Sequence, residues 1–296
     1  MKGWRAGVLA ASLAAEFALI SGYVGAAAQE QPAAVEAAAA STPCGGDVIA
    51  RSGVKAVVDG RNIVLDDGRL VHLAAIEVPL LPAPEGTAAK AALAALVNGA
   101  QVVLRQAQPG LEPDRYGRIV AYVETWRGGA QRSVQAEMLA AGSARVGEDA
   151  GSQACAAELL RREATARQAK LGLWASPYYD PIQADDPSSI LAQRDRFALV
   201  QGQVVSVHES GATLYVNFGR RWSEDFAVTI GKRNERNFAA IGVDLKGLAG
   251  RRVRVRGWIE ARTGGSGLQD RVEGGRWHAP WIEAVHPVQI ELADHD

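Results

Sequence analysis

One order of elements occurs twice along the chain, and it constrains the fold more than composition does. Strand-like runs at residues 53–58, 62–65 and 69–76 precede a helix at 88–97 and two further strands at 101–105 and 118–124. The same order returns with strands at 199–207, 213–218 and 226–230, a helix near 234–240, and strands at 252–259 and 281–285. Three strands, a helix and two strands are the requirement of a five-stranded Greek-key barrel. No internal sequence repeat links the halves, so the parallel lies in element order alone.

Local signals support the first set. Asp66-Asp67-Gly68 between apolar runs is a hairpin turn. Thr87 reads as the N-cap of the first helix and Asn98-Gly99 as its stop. A second helix at 133–141 stops at Gly142, and a longer one at 152–170 closes this part. Beyond Trp174 come Ser176-Pro177-Tyr178-Tyr179-Asp180-Pro181 and Asp185-Asp186-Pro187-Ser188-Ser189, a composition that predicts no regular element. A chain of 296 residues suits two domains. The expected division is 44–175, a linker at 176–195, and 196–292.

The first 28 residues read as a signal peptide. Lys2 and Arg5 precede an apolar run from Ala6 to Val24, and Gly25-Ala26-Ala27-Ala28 offers small residues for cleavage after Ala28. Glu16 interrupts the run and argues against a stable membrane span. An uncleaved N-terminal anchor is the alternative. Residues 29–43, rich in Ala, Glu and Pro, read as a disordered tether. An exported, periplasmic or secreted address follows, and there Cys44 and Cys155 are expected to form a disulfide. The other reading is two buried thiols. A net charge of −1 from 32 basic and 33 acidic residues provides no global field for a polyanion, so any nucleic-acid binding must come from a local patch.

Three motifs carry chemistry: Val57-Val58-Asp59-Gly60-Arg61-Asn62, Leu73-Ala74-Ala75-Ile76-Glu77-Val78-Pro79 and Asp114-Arg115-Tyr116-Gly117-Arg118. With Val134 to Val146, Glu163-Ala164, Ala166, Lys170-Leu171 and Trp174, they make residues 53–174 resemble the staphylococcal nuclease (thermonuclease) family. The resemblance implies an α+β, mainly β fold: a nuclease-like five-stranded OB-type barrel with three helices, followed here by a second OB-like barrel. In that family two carboxylates bind calcium, a glutamate handles the attacking water, and two arginines hold the phosphate. Here the first ligand position is Arg61, the second Glu77, the neighbouring threonine Val78, the water-handling glutamate Leu80 and the first arginine His72. Arg118 alone is retained.

Those exchanges oppose the family's chemistry. Calcium takes about six to eight oxygen ligands, and Arg61 substitutes a cation for one of them. Leu80 neither accepts a proton nor orients water, which removes a contribution of roughly 10²- to 10⁴-fold. His72 would hold a phosphate only when protonated, below about pH 6.5 if its pKa is ordinary. No cofactor is expected. Calcium or another divalent metal, on Asp59 and Glu77, enters only if Arg118, His72 and Glu77 act in rearranged roles with help from Asp66, Asp67 or Glu85. The preferred reading of Arg61 with Glu77 is an ion pair that replaces the metal.

A basic and aromatic set, Arg220, Arg221, Trp222, Arg254, Arg276 and Trp277, is a candidate surface for single-stranded nucleic acid. Alternation along Arg252, Arg254 and Arg256 predicts guanidinium groups on one strand face. The bland alternative is a solvated face with core tryptophans. His208-Glu209-Ser210 reads as a turn and His286 as a strand end. The functional expectation is an impaired thermonuclease-like pseudoenzyme that binds nucleic acid or an envelope component. The alternatives are an active metal-dependent endonuclease on DNA or RNA and a protein–protein interaction module.

Overall fold

A computed structural model describes residues 43–108, 113–264 and 277–293. The expected signal peptide, the tether up to residue 42, and Arg276 lie outside them. Strand β1 (Val48–Val57) is followed by β2 (Asn62–Leu65), β3 (Leu70–Leu73), β4 (Ile76–Glu77), α1 (Pro84–Val97), β5 (Gln101–Gln106) and β6 (Ile119–Arg127). Antiparallel pairing joins β1 to β2 and β5, β2 to β3, and β5 to β6. A parallel pairing of β3 with β6 then closes the five-strand barrel. Its interior is filled by Ile63, Leu65, Val71, Leu73, Val102, Leu104, Ala121 and Val123.

A short strand β7 (Ala130–Ser133), absent from the sequence expectation, extends β6 as a hairpin and leads into α2 (Val134–Ala140). The Ser133 hydroxyl caps α2 by accepting from Ala136 N. Buried Gln135 ties α2 to the barrel, donating to Ala121 O and accepting from Val123 N. After β8 (Arg145–Val146), α3 (Gln153–Gln168) is capped by Ser152, and Cys155 in its first turn is bonded to Cys44. The antiparallel β4–β8 pair sets Glu77 opposite Arg145.

Helix α1 begins four residues before its expected start. Pro84 occupies the first helical position, where its missing N–H costs nothing, and the Thr87 hydroxyl bonds back to Ala83 O inside the helix instead of capping it. Gly60 lets the β1–β2 loop reach this helix: a Cβ there would stand 2.8 Å from the Ala89 Cβ. That contact fixes the loop bearing Asp59 and Arg61.

The second half contains β9 (Ile182–Gln183), α4 (Pro187–Leu191), β10 (Phe197–Gln203), β11 (Ser206–Ser210), β12 (Thr213–Asn217), β13 (Ala227–Gly231), α5 (Lys232–Ala239), β14 (Arg252–Trp258), β15 (Glu260–Gly264), β16 (Trp277–Glu283) and β17 (Ile290–Leu292). At Val204-Val205 the chain passes from β10 into β11, and at Ile259 from β14 into β15, so each pair serves two sheets. Pairings run β11–β12–β13, then parallel to β16, then β15, with β14 returning to β10. This repeats the ring order of the first barrel, around Leu214, Val216, Phe226, Val228, Ile230, Phe238, Val253, Val255 and Ile282.

Residues 176–195 correct the expectation of an irregular linker. They contain β9, paired with β10, and α4, whose N-cap Asp186 accepts from Ser189 N; Ala184 and Ile190 are buried in the second core. Pro187 had suggested a break, but at the first helical position it starts α4. A separate apolar cluster of Ala166, Leu173, Trp174, Tyr179, Phe197 and Leu199 joins the two halves.

Beside it lies a buried charge lattice. Arg256 of β14 is wholly buried, and its two terminal nitrogens each lie 3.0 Å from an oxygen of Glu163 on α3. Glu163 also accepts from Val146 N, while Arg256 donates to Val146 O and pairs with Glu291. Burial opposes the Arg256 charge, yet Glu163 and Glu291 raise its pKa above the usual arginine value. The expected open basic face is therefore corrected. Arg254 is only 4 % exposed and faces Gln201 and Glu291; Arg252 alone of the three is exposed.

Candidate functional site

The β1–β2 loop determines what the first motif can do. The Asp59 carboxylate accepts from the backbone N–H groups of Arg61 and Asn62, both at 2.8 Å, and from the Asn62 side-chain amide at 2.7 and 2.9 Å. It is spent on holding its own turn. Arg61 then reaches across to the end of β4, where its Nη1 lies 2.5 Å from Glu77 Oε2, both side chains being 17 % exposed.

This donor set does not fit calcium. A guanidinium contacts the one carboxylate that keeps its family position, and the other carboxylate is turned into backbone amides. Val78 is buried, and Leu80 is 69 % exposed. The carboxylates named as substitutes lie elsewhere: Asp67 pairs with Arg69, Asp66 packs against Gly53 at the far end of β2 from Asn62, and Glu85 sits in the first turn of α1. Among the described residues no three His, Cys, Asp or Glu side chains converge as metal ligands.

His72, on β3 opposite Asn62, has Nδ1 2.8 Å from Asn62 Oδ1. Because the Asn62 amide nitrogen donates to Asp59, its oxygen faces the ring and Nδ1 carries the hydrogen. Burial, then the charges of Arg61 and Arg118, lower the His72 pKa to about 4. At neutral pH it is an uncharged ring with its Nε2 lone pair available, and not the phosphate-holding cation. The pH dependence has a definite sign. Between about pH 6.5 and 4 the unfolded chain binds the proton and the folded chain does not, so stability falls as pH is lowered through that window. Histidine NMR is expected to show His72 unprotonated at pH 5, and His72→Gln should flatten this part of the stability profile.

Arg118 is also engaged. It forms a two-pronged contact with Asp114, at 2.8 and 2.7 Å, and lies over the Tyr116 ring. That pairing and the turn hydrogen bonds lower the Asp114 pKa against burial. Beside His72 and Glu77 opens a cavity of about 220 Å³ that Glu148 and Asp149 also line. Burial, and then the neighbouring Glu77, raise the Glu148 pKa. Neutralised arginines and excess carboxylates make this cavity unfavourable for a phosphodiester.

Ring order, the α2 and α3 supports and the placement of the three motifs define a nuclease-type barrel. Residues 71–176 match the family model described as staphylococcal nuclease homologue, so this part of the chain is a domain of that family. The match begins at β3, and the loop carrying Asp59 and Arg61 precedes it. No curated protein matches the chain.

The second candidate set is only partly assembled. Arg220, Arg221 and Trp222 lie together in the β12–β13 connection, and Trp222 is 67 % exposed. Arg221 is offset by Glu224 and Asp225, whereas Arg220 makes no ion pair among the described residues. Trp277 begins β16, and Arg254 is removed by burial. The sequence reading missed His208 and Tyr215. His208-Glu209-Ser210 is no turn but part of β11, and the His208 ring stacks on Tyr215 at 5.2 Å and 13°. Alternation through β12, with Leu214 and Val216 inward, was the available signal for Tyr215 and Asn217 facing outward.

Proposed function

We propose that the protein is an exported binding protein built on a nuclease scaffold, which engages single-stranded nucleic acid without metal-dependent hydrolysis. The Arg61–Glu77 ion pair carries this reading, because it sets a positive charge against the carboxylate that a metal would need. The disulfide between Cys44 and Cys155 favours an oxidising compartment, and among the described residues no helix is long and apolar enough to cross a membrane. We assign the binding role to the second half and read it as an OB-type barrel in its own domain, since its strands repeat the first barrel's ring order.

Incubating the mature protein with single- and double-stranded DNA and RNA, with calcium, magnesium or manganese and a chelator control, tests the reading. The expected result is binding of single strands without chelator-sensitive cleavage. With two phosphates neutralised, affinity should fall about sevenfold between roughly 50 and 200 mM salt. Cleavage that a chelator stops and Glu77→Ala abolishes would establish the endonuclease alternative. Absence of binding at low salt would leave a protein partner.

A further inference from the structure

Outward-facing residues of the second barrel form two adjacent rows across its strands. Register places Ser206, Asn217, Ala227 and Trp281 in one row, and His208, Tyr215 and Thr229 in the next. Small Ala227 and Ala279 leave a depression of about 190 Å³, bordered by His208, Tyr215, Trp222 and Trp281. At its floor Asn217, 8 % exposed, donates through Nδ2 to Ser206 Oγ and His208 Nδ1 at 3.2 and 3.0 Å. An amide nitrogen only donates, so His208 Nδ1 accepts and its outer Nε2 carries the hydrogen. Both residues line the depression, which gives it an acceptor, Asn217 Oδ1, and a donor, His208 Nε2.

We infer that this depression is a seat for an unpaired nucleobase of a single strand, with exposed Arg220, two residues before Trp222 in the β12–β13 connection, as the contact for the adjoining phosphate. Aromatic rings accept the flat face of a base, and a donor and an acceptor in the same depression suit a base edge, because every nucleobase presents both. The chemistry is tolerant of sequence. Arg220 supplies the charge complementarity that an uncharged sugar or an apolar peptide would not use. The assignment rests on the single-strand reading above and names its subsite on the second barrel.

The test uses the full mature chain, a fluorescein-labelled ten-residue oligothymidylate, an abasic strand of equal length, and a chito-tetrasaccharide. Oligothymidylate should bind at least tenfold more tightly than the abasic strand and quench tryptophan fluorescence. Trp222→Ala, at an exposed position, should weaken the thymidylate about tenfold and leave abasic binding unchanged. Tyr215→Leu should act in the same direction, while Arg220→Ala should weaken both strands and reduce the salt slope. Equal binding of the two strands, unaffected by Trp222→Ala, would overturn the base seat and leave the single-strand reading intact. Binding of neither strand would overturn both. Saturable binding of the tetrasaccharide, lost in Trp222→Ala, would reassign the depression to a sugar.

Discussion

Arg256→Ala is expected to lower the folding free energy by about 3 kcal/mol, because it leaves Glu163, where water does not reach, with the more distant Arg167 in place of two close guanidinium contacts. Glu163 has no exposed surface, and its remaining partners are Val146 N and Arg167, the latter at 3.5 Å. Glu163→Ala should cost a similar amount, since it strips Arg256 of both 3.0 Å contacts. The double variant should cost clearly less than the sum, as expected for groups that share one interaction. Urea unfolding of the four proteins measures this. A double variant equal to the sum would remove the bridge from the account of how the halves are joined. The pair lies between α3 and β14, so its loss should also expose the Trp174–Phe197 cluster.

Reduction, or replacement of both cysteines by alanine, is expected to cost about 4–5 kcal/mol on the chain-entropy model, which scales with the length of the closed loop. Cys44 and Cys155 are 111 residues apart, and the loop between them contains the whole first barrel ring. Cys155 is buried in the α3 first turn and Cys44 precedes β1, so the bond fastens the start of the barrel to its closing helix. Denaturant midpoints of oxidised and reduced protein check the size. An unchanged midpoint would mean that the bond constrains nothing that unfolding releases.

The ring order was legible because alternation along β2, β3 and β12 marks inward residues directly, and a turn such as Asp66-Asp67-Gly68 punctuates them. The Arg61–Glu77 pair was legible through the resemblance, which placed the two residues at neighbouring ligand positions. The arginine strand was misread for a physical reason. Local alternation predicts that Arg254 and Arg256 share a face, but whether that face meets water depends on Glu163, 93 residues away from Arg256 in sequence. The His72 pKa was equally hidden, since its burial, and then the charges of Arg61 and Arg118 from separate motifs, act on it only after the barrel closes. Strand β11 gave too little signal: Val207 is its single apolar residue, and the solvent-facing remainder looks like a turn.

The central claim is that a guanidinium has taken the place of a metal on the first barrel. Terbium luminescence with calcium competition, on the oxidised mature protein and on Glu77→Gln, tests it most directly. The prediction is no saturable signal at the Glu77 position, and hence no difference between the two proteins. Saturable one-to-one binding that calcium displaces and Glu77→Gln abolishes would contradict it.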